Sequence, residues 1–348
     1  MNQIQEKSKP RVSIIIPVYN SGKTLSDTLR SVTGQDHPSF ETLVVDDAST
    51  DNSAEIALEY GAKVIRLESN RGPATARNEG AQQAAGDILL FTDSDVLLPR
   101  NSLQIMEARF SGSGADAVQG VFSDVCPYAE FFSQYKNLYN RYVLNRLPDW
   151  IDTTFTSVTA VRREAFLACG GFDDGIRTPS VEDRTLGRNL VRHKFRICMD
   201  RALQVIHNKK LTFQGFLRNQ FRRSRDLAKL LLRMRSEPEP PQAEKISPID
   251  ESGRFGTNAP STMARIPVAY LLVLFLLLSL RVPVFGILVV LLGLLYLYLI
   301  APFEWYLFRK KGLQFALLGV WANIMDALVS GAGVLIGLVE YKWLGRRY

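Results

Sequence analysis

From Ile266 onward the chain runs into three long apolar segments, and they constrain the architecture more than any other feature. Ile266–Leu280 has 15 uncharged residues, Val282–Phe303 has 22, and Gly312–Val339 has 28 with Asp326 as its only charge. A helix of about 20 apolar residues crosses a bilayer, so the second and third runs are long enough to span and the first is short. Arg281-Val282-Pro283 between the first two reads as the turn of a tight hairpin. Asp326 inside such a helix is costly, and marks either a contact to a lipid substrate or a hydrogen bond between helices. Gly333 and Gly337 form a G-x-x-x-G, a spacing that lets helices pack closely.

The whole-chain averages, 46% hydrophobic and 22% charged, hide this division. Residues 1–235 are an ordinary globular mixture with room for a sizeable core. Residues 236–265 contain Pro238, Pro240, Pro241, Pro248 and Pro260 and few apolar side chains, so they read as a linker, with the membrane anchor at 266–348. The net charge of +7 is concentrated ahead of that linker. Lys209, Lys210, Arg218, Arg222, Arg223, Arg225, Lys229, Arg233 and Arg235 face a single acid, Asp226. A basic helix at 211–235 beside a membrane suits anionic headgroups or a phosphate-bearing substrate better than a nucleic acid, for which no binding module is present.

Cys126, Cys169 and Cys198 lack metal-ligand spacing, and an odd number cannot pair internally, which suits buried thiols in a reducing compartment. No signal-peptide core follows the polar start, Val12–Pro17 being too short, so the N-terminal domain is expected to stay cytoplasmic in a multi-pass membrane protein. Basic residues do not settle the crossings. With three spans Arg309-Lys310-Lys311 lies inside but Lys342, Arg346 and Arg347 lie outside, against the positive-inside tendency; with two, the conflict moves to the other cluster.

The first half alternates two periods. Val12–Ile16, Leu43–Val45, Val64–Leu67 and Ile88–Phe91 are short apolar runs of strand type. Between them lie Leu25, Leu29 and Val32 at helical spacing, a helix around Ile56 and Leu58, and an Ala-rich helix started by Gly72-Pro73. Such alternation predicts a parallel α/β sheet, with ligands bound beyond the carboxyl ends of its strands. Pro17–Asn20, Asp46–Asp47 and Asp93–Asp95 occupy those ends. Further on, Tyr128–Leu147 predicts an amphipathic aromatic helix, Phe155–Val161 a strand, Arg163–Ala168 a short helix, Val181–His193 a helix and Leu203–Ile206 a strand.

Two nucleotide-binding chemistries fail on single residues. Ser21-Gly22-Lys23-Thr24 suggests a P-loop, but the required first glycine is Pro17, which has neither the N–H nor the backbone freedom to wrap a phosphate. A dinucleotide oxidoreductase needs G-x-G-x-x-G after strand one, and none follows. The carboxylates serve better. Asp93-Ser94-Asp95 directly follows a strand, and paired hard oxygen ligands hold Mg²⁺ or Mn²⁺ while leaving positions open for diphosphate oxygens.

Six motifs in order carry a resemblance. Val12-Ser-Ile-Ile-Ile-Pro-Val-Tyr-Asn20, Val45-Asp-Asp-Ala-Ser-Thr-Asp51, Asn70-Arg-Gly-Pro-Ala-Thr-Ala-Arg-Asn78, Gly86-Asp-Ile-Leu-Leu-Phe-Thr-Asp-Ser-Asp95, Gly170-Gly-Phe-Asp173 and Glu182-Asp-Arg-Thr-Leu-Gly187 resemble the family 2 glycosyltransferases over roughly residues 10–210. The resemblance implies an α/β GT-A nucleotide-sugar-binding domain, Rossmann-like with a mostly parallel sheet, followed by C-terminal transmembrane helices.

It also implies roles. Pro17, Tyr19 and Asn20 line the base and ribose pocket, Asp47 accepts a hydrogen bond from the base, and Asp46 supports that loop. Arg77 approaches the diphosphate or orients Asp93, and Ser94 belongs to the donor site. Asp95 is the main metal ligand. Asp93 binds sugar or ribose hydroxyls and is a second candidate ligand, with His207 a third. Asp183 is the general base, with neighbouring Glu182 expected to raise its basicity by like-charge repulsion. One displacement from the opposite face inverts the anomeric carbon.

The implied reaction moves a sugar from a nucleotide-sugar, by family tendency a UDP-sugar, to a lipid or lipid-linked saccharide. Rivals are a polyprenyl-phosphate glycosyltransferase and a catalytically inactive membrane scaffold. Gln220-Phe-Arg-Arg223 begins the Gln-x-x-Arg-Trp signature of processive members, but Ser224 stands where Trp is expected, which argues against a polymer synthase.

Overall fold

The computed structural model describes residues 11–236 and 260–345, so most of the proline-rich linker, together with Arg346 and Arg347, lies outside the described residues. The described chain forms two compact units, Leu147–Lys209 joining the N-terminal region in one, and Tyr128–Arg146 joining residues 210 onward in the other.

The first unit is a mixed α/β sheet. Its central strands β1 (Val12–Val18), β2 (Phe40–Asp46), β3 (Lys63–Arg66) and β4 (Ile88–Thr92) pair in parallel in the order β3-β2-β1-β4. Both faces of β1 and β4 are buried, which is why they read as unbroken apolar runs rather than as alternation. Helix α1 (Leu25–Thr33) buries Leu25, Leu29 and Val32, the spacing seen in its sequence. After α2 (Ser53–Glu59) and β3, helix α3 (Pro73–Gln83) begins with proline in its first turn. It lies so close to the sheet that a Cβ at Gly80 would sit 2.6 Å from Ile15 Cγ2.

Beyond β4 the sheet turns antiparallel. Short β5 (Val96–Leu97), helix α4 (Ser102–Ser113) and β6 (Ala117–Phe122) follow in sequence. After them come two-residue β7 (Trp150–Ile151), β8 (Val158–Arg162), α6 (Arg163–Ala168), α7 (Glu182–Arg192) and β9 (Ile197–His207). Strand β8 runs antiparallel to both β4 and β6, and β6 pairs in parallel with β9. Strand β9 is much longer than the Leu203–Ile206 run, because Ile197–Met199 pairs with β6 before the register slips past Gly120. The three cysteines are free thiols, Cys169 and Cys198 buried.

The second unit is helical: α5 (Phe131–Asn145), α8 (Phe213–Ser236), α9 (Pro260–Ser279), α10 (Phe285–Lys311) and α11 (Leu313–Lys342). Helices α10 and α11, of 27 and 30 residues, are long and apolar enough to cross a membrane, and the apolar part of α9, Ala264–Ser279, is shorter. The break between α9 and α10 falls on the Arg281-Val282-Pro283 turn. Helix α10 does not stop at Phe303 but carries Glu304 inward and ends on Arg309-Lys310-Lys311. The aromatic face of α5 packs into this bundle, with Tyr135, Tyr139 and Tyr142 around Phe303.

Gly333 and Gly337 face α8, where added Cβ atoms would come within 2.5 Å of the Phe221 carbonyl and 2.4 Å of the Arg225 carbonyl. Part of the basic run is compensated beside that seam: Lys229 pairs with Glu340, and Arg225 with Asp226. Asp326 is a helix–helix contact. It accepts from Gln220 of α8, from Arg265 of α9 and, at 3.1 Å, from Ser330.

Candidate active site

The loops at the carboxyl ends of β1, β2 and β4 bring the acidic motifs together. Asn20, in the left-handed region at φ 50°, joins the first two loops. Its Oδ1 accepts the Thr50 amide at 2.8 Å, and its own amide donates to Ser49 Oγ at 2.9 Å. Asp46 Oδ1 accepts the Ser49 amide at 2.9 Å, and its other oxygen pairs with Arg66.

Asp47 is buried and has a different occupation from the one expected of it. Its two oxygens accept the backbone amides of Arg71 and Gly72 at 2.7 and 2.8 Å, leaving a base only the second lone pair of either oxygen. Gly72 is required there. It sits at φ 90°, and a Cβ would meet the Arg177 carbonyl oxygen at 2.2 Å. Pro17 is half-buried, and Tyr19 stands 51% exposed beside these loops, a free aromatic face. Ser94 Oγ donates to Ser21 Oγ at 2.8 Å, which fastens the loop after β4 to the loop after β1.

Arg77 is the hub of the second half. Only 3% exposed, it reaches from α3 to donate to Asp93 at 2.7 Å and to Glu182 at 3.1 Å. Of the two roles implied for it, the observed contact is the one that orients Asp93. Ser157 Oγ donates to the other Asp93 oxygen at 2.8 Å, so both Asp93 oxygens are engaged. Glu182 also accepts the Ser180 amide at 2.7 Å. Its charge is therefore balanced by Arg77 rather than turned against Asp183. Asp183 is half-buried at the first turn of α7, and its carbonyl accepts from Thr154 Oγ1 at 2.6 Å.

Asp95 lies where β5 meets the end of β9, in the register that pairs Val96 with His207. His207 Nε2 is 3.6 Å from Asp95 Oδ1, and Lys209 Nζ is 2.9 Å from Oδ2. Burial disfavours the ionised carboxyl, but the hydrogen bond and charge of His207 and the Lys209 ammonium outweigh it and hold Asp95 well below the usual carboxylate range.

The donor set can be tested against Mg²⁺ or Mn²⁺. Among the described residues no three His, Cys, Asp or Glu side chains gather into a closed cage. Mg²⁺ and Mn²⁺ suit a sparser set, one or two protein ligands completed by water and phosphate oxygens. Asp95 with His207 offers such a set, with Oδ1 facing His207 and the 51% exposed Lys209 side chain on Oδ2 the group a metal would displace. Asp93 fits less well as a ligand, being spoken for by Arg77 and Ser157.

Ser157, Lys209 and Thr154 escaped the sequence reading. Ser157 lies within a strand-forming run and Lys209 within the basic cluster, and neither carries a motif. Only pairing of β4 with β8, and of β5 with β9, brings them to the aspartates.

Residues 13–170 match the family model described as Glycosyl transferase family 2. Glycosyltransferase AglE of Haloferax volcanii is 38% identical over 118 residues, 32% of this chain and 39% of that protein. The poly(ribitol-phosphate) beta-N-acetylglucosaminyltransferase TarS of Staphylococcus aureus strain Mu50 is 41% identical over 101 residues, 27% of this chain and 18% of that one. The chain thus spans well under two thirds of the length of these curated relatives. Among solved structures, the mannosyltransferase PcManGT of Pyrobaculum calidifontis, in complex with GDP-Man and Mn²⁺, superposes with a TM-score of 0.57 at 21% identity, over 85% of this chain and 87% of that one. At that identity the likeness is one of fold.

Proposed function

We propose that this chain, whose residues 13–170 match the family 2 glycosyltransferase model, is a glycosyltransferase of GT-A-like fold that transfers a sugar from a nucleotide-sugar to a lipid or lipid-linked saccharide, with inversion at the anomeric carbon. The observation that carries this reading is the Arg77 bridge, which ties the Asp93-Ser94-Asp95 loop to the helix presenting Asp183. A donor loop and a general base held by one buried guanidinium suit an in-line displacement, in which leaving group and attacking oxygen must be aligned.

Tyr19 and Pro17 flank the base, while Asn20, Asp46 and Asp47 hold the pocket's loops. UDP-sugars are the donors first tested, and GDP-sugars the second, because PcManGT is described with GDP-Man. Arg77 and Ser157 fix Asp93 so that it presents its remaining lone pairs to sugar or ribose hydroxyls. Asp95, with His207, would hold Mg²⁺ or Mn²⁺, which when bound supplies positive charge to the departing diphosphate. Asp183 takes the proton of the acceptor hydroxyl as the new bond forms; an ionised carboxylate within reach serves this at neutral pH.

The apolar helices α10 and α11 hold the protein at a membrane, with the catalytic unit on the cytoplasmic side where nucleotide-sugars are made. That placement favours a lipid-borne acceptor.

The test is turnover by the full chain in membranes. A panel of nucleotide-sugars is supplied with and without Mn²⁺ or Mg²⁺, with Asp183→Asn in parallel, and nucleotide release and label entering lipid are followed. Metal-dependent labelling that Asp183→Asn abolishes supports the reading. Labelling that survives in Asp183→Asn indicates an acceptor already ionised, as a polyprenyl phosphate is. Folded protein that binds no donor in native lipids would refute the transferase and favour a scaffold.

A further inference from the structure

Among the described residues, one buried cation of the helical unit has no carboxylate in contact with it. Lys136 of α5 is 9% exposed, and its ammonium donates to the neutral side chain of Gln220, with Nζ 3.0 Å from Oε1. The Tyr139 ring lies on another side, its centroid 5.0 Å from Nζ. One turn along α8 from Gln220, Arg223 adds its charge to the same neighbourhood, half-buried and without a hydrogen-bonded or ion-paired partner among the described residues. Asp326 acts on Lys136 only through space, its hydrogen bonds going to Arg265, Gln220 and Ser330. Among the described residues Lys136 therefore meets no carboxylate oxygen at hydrogen-bond distance, its nearest polar partner being the neutral Gln220 side chain.

Burying a cation without a counterion is expensive. A purely structural role for Lys136 would be met as well by an apolar residue or a glutamine. Burial first, and then Arg223, push the Lys136 ammonium down to about 7, whereas a bound anion would restore its charge.

We propose that Lys136 and Arg223, framed by Gln220 and Tyr139, bind a phosphate monoester or diphosphate carried on a membrane lipid. Two cations match a doubly charged phosphate. The partly exposed Arg223 is the entrance, and the buried Lys136 supplies hydrogen bonds that a diffuse surface charge cannot. Phosphate recognition by an ammonium and a guanidinium together is chemically ordinary. The inference rests on the transferase reading in taking this lipid as the acceptor, and names the chemistry of its head. The phosphate site itself stands on the helical unit alone.

The full-length protein in detergent is titrated with nanodiscs of phosphatidylcholine doped with phosphatidic acid, a lipid phosphate monoester. The comparison is with discs doped with phosphatidylglycerol, a diester, at matched surface charge. Preference for phosphatidic acid by about tenfold is expected, the scale of one or two charged hydrogen bonds. It should vanish in Lys136→Met and Arg223→Gln, and persist in Lys136→Arg and in Arg218→Gln, which removes an exposed cation of the same helix. Inorganic pyrophosphate should compete.

Equal binding of the two lipids, or a loss in Arg218→Gln equal to that in Arg223→Gln, would overturn the site in favour of general membrane charge. If Lys136→Met fails to fold, the partly exposed Arg223→Gln decides. Nucleotide-sugar binding measured on the same preparations separates the two readings. Donor turnover without lipid preference sinks this site alone, and lipid preference without donor binding sinks the transferase alone.

Discussion

Arg77 and Asp93 are joined at 2.7 Å by a guanidinium that is itself almost wholly buried, with Glu182 on its far side. One cation thus balances two carboxylates from distant parts of the sequence. Arg77→Met leaves Glu182 buried and uncompensated, and is expected to cost about 3–5 kcal/mol of stability. The double variant Arg77→Met/Glu182→Gln should recover part of that loss, and denaturant unfolding of the four members of the cycle measures the coupling. Additive losses would mean that the two side chains do not act on each other.

Chelation should abolish turnover, and Mn²⁺ or Mg²⁺ should restore it. In Asp95→Asn, donor affinity should become low and metal-independent, with the domain still folded. His207→Ala should weaken metal activation by about 10–100-fold, a range typical of disturbed metal surroundings. Isothermal titration of nucleotide-sugar against metal concentration checks both. An Asp95→Asn protein that keeps full metal activation would move the metal site elsewhere.

Gly337→Leu places a branched side chain where even a Cβ stands 2.4 Å from the Arg225 carbonyl. Helices α8 and α11 must then separate, and a loss of about 1–3 kcal/mol is expected, as for other overpacked contacts. Thermal unfolding in detergent should show it, while Gly293→Leu, where nothing lies within 4 Å, should change little.

The buried Lys136 ammonium makes stability depend on pH in a definite direction. Its pKa is lowered to about 7 in the folded chain and lies near 10.4 in the unfolded one. Between those values the unfolded state binds the extra proton, so the contribution of Lys136 to stability rises with pH. Below about 7 both states are protonated, and the cost of the buried charge is fully present. The wild type should therefore gain on Lys136→Met as pH rises from 6 to 9, measured by unfolding of the two proteins in phosphate-free buffer. A constant difference would mean that Lys136 is charged throughout.

Much of the catalytic unit could be read in one dimension, because its first strands are buried on both faces and its helices present regular stripes. The Asp46-Asp47 and Asp93–Asp95 pairs were legible for the same reason: they stand at strand ends that are plain from the apolar runs before them. What escaped was relational. Ser157 and Lys209 matter through antiparallel pairing of strands far apart in sequence, and no local pattern records that pairing. Glu182 was visible but misjudged, since proximity to Asp183 in sequence suggested repulsion where Arg77 supplies the counter-charge. Asp326 was open between two roles, and Arg265, which lies in the region read as linker, decides it. The aromatic face of α5 was evident from its spacing, but its inclusion in the helical unit was not, because periodicity reports a buried face and not what covers it.

Asp47 hooks two consecutive amides, and Asn20 laces the neighbouring loop to its own. The floor of the proposed donor site is consequently tied together by the chain's own hydrogen bonds. A donor then forfeits little chain entropy of the protein on entering, and its affinity is spent on contacts rather than on ordering loops. Loosening either lace would convert a rigid receptor into one that must fold around its guest. Association would slow, and the heat capacity change on binding would become more negative, with the bound geometry unchanged.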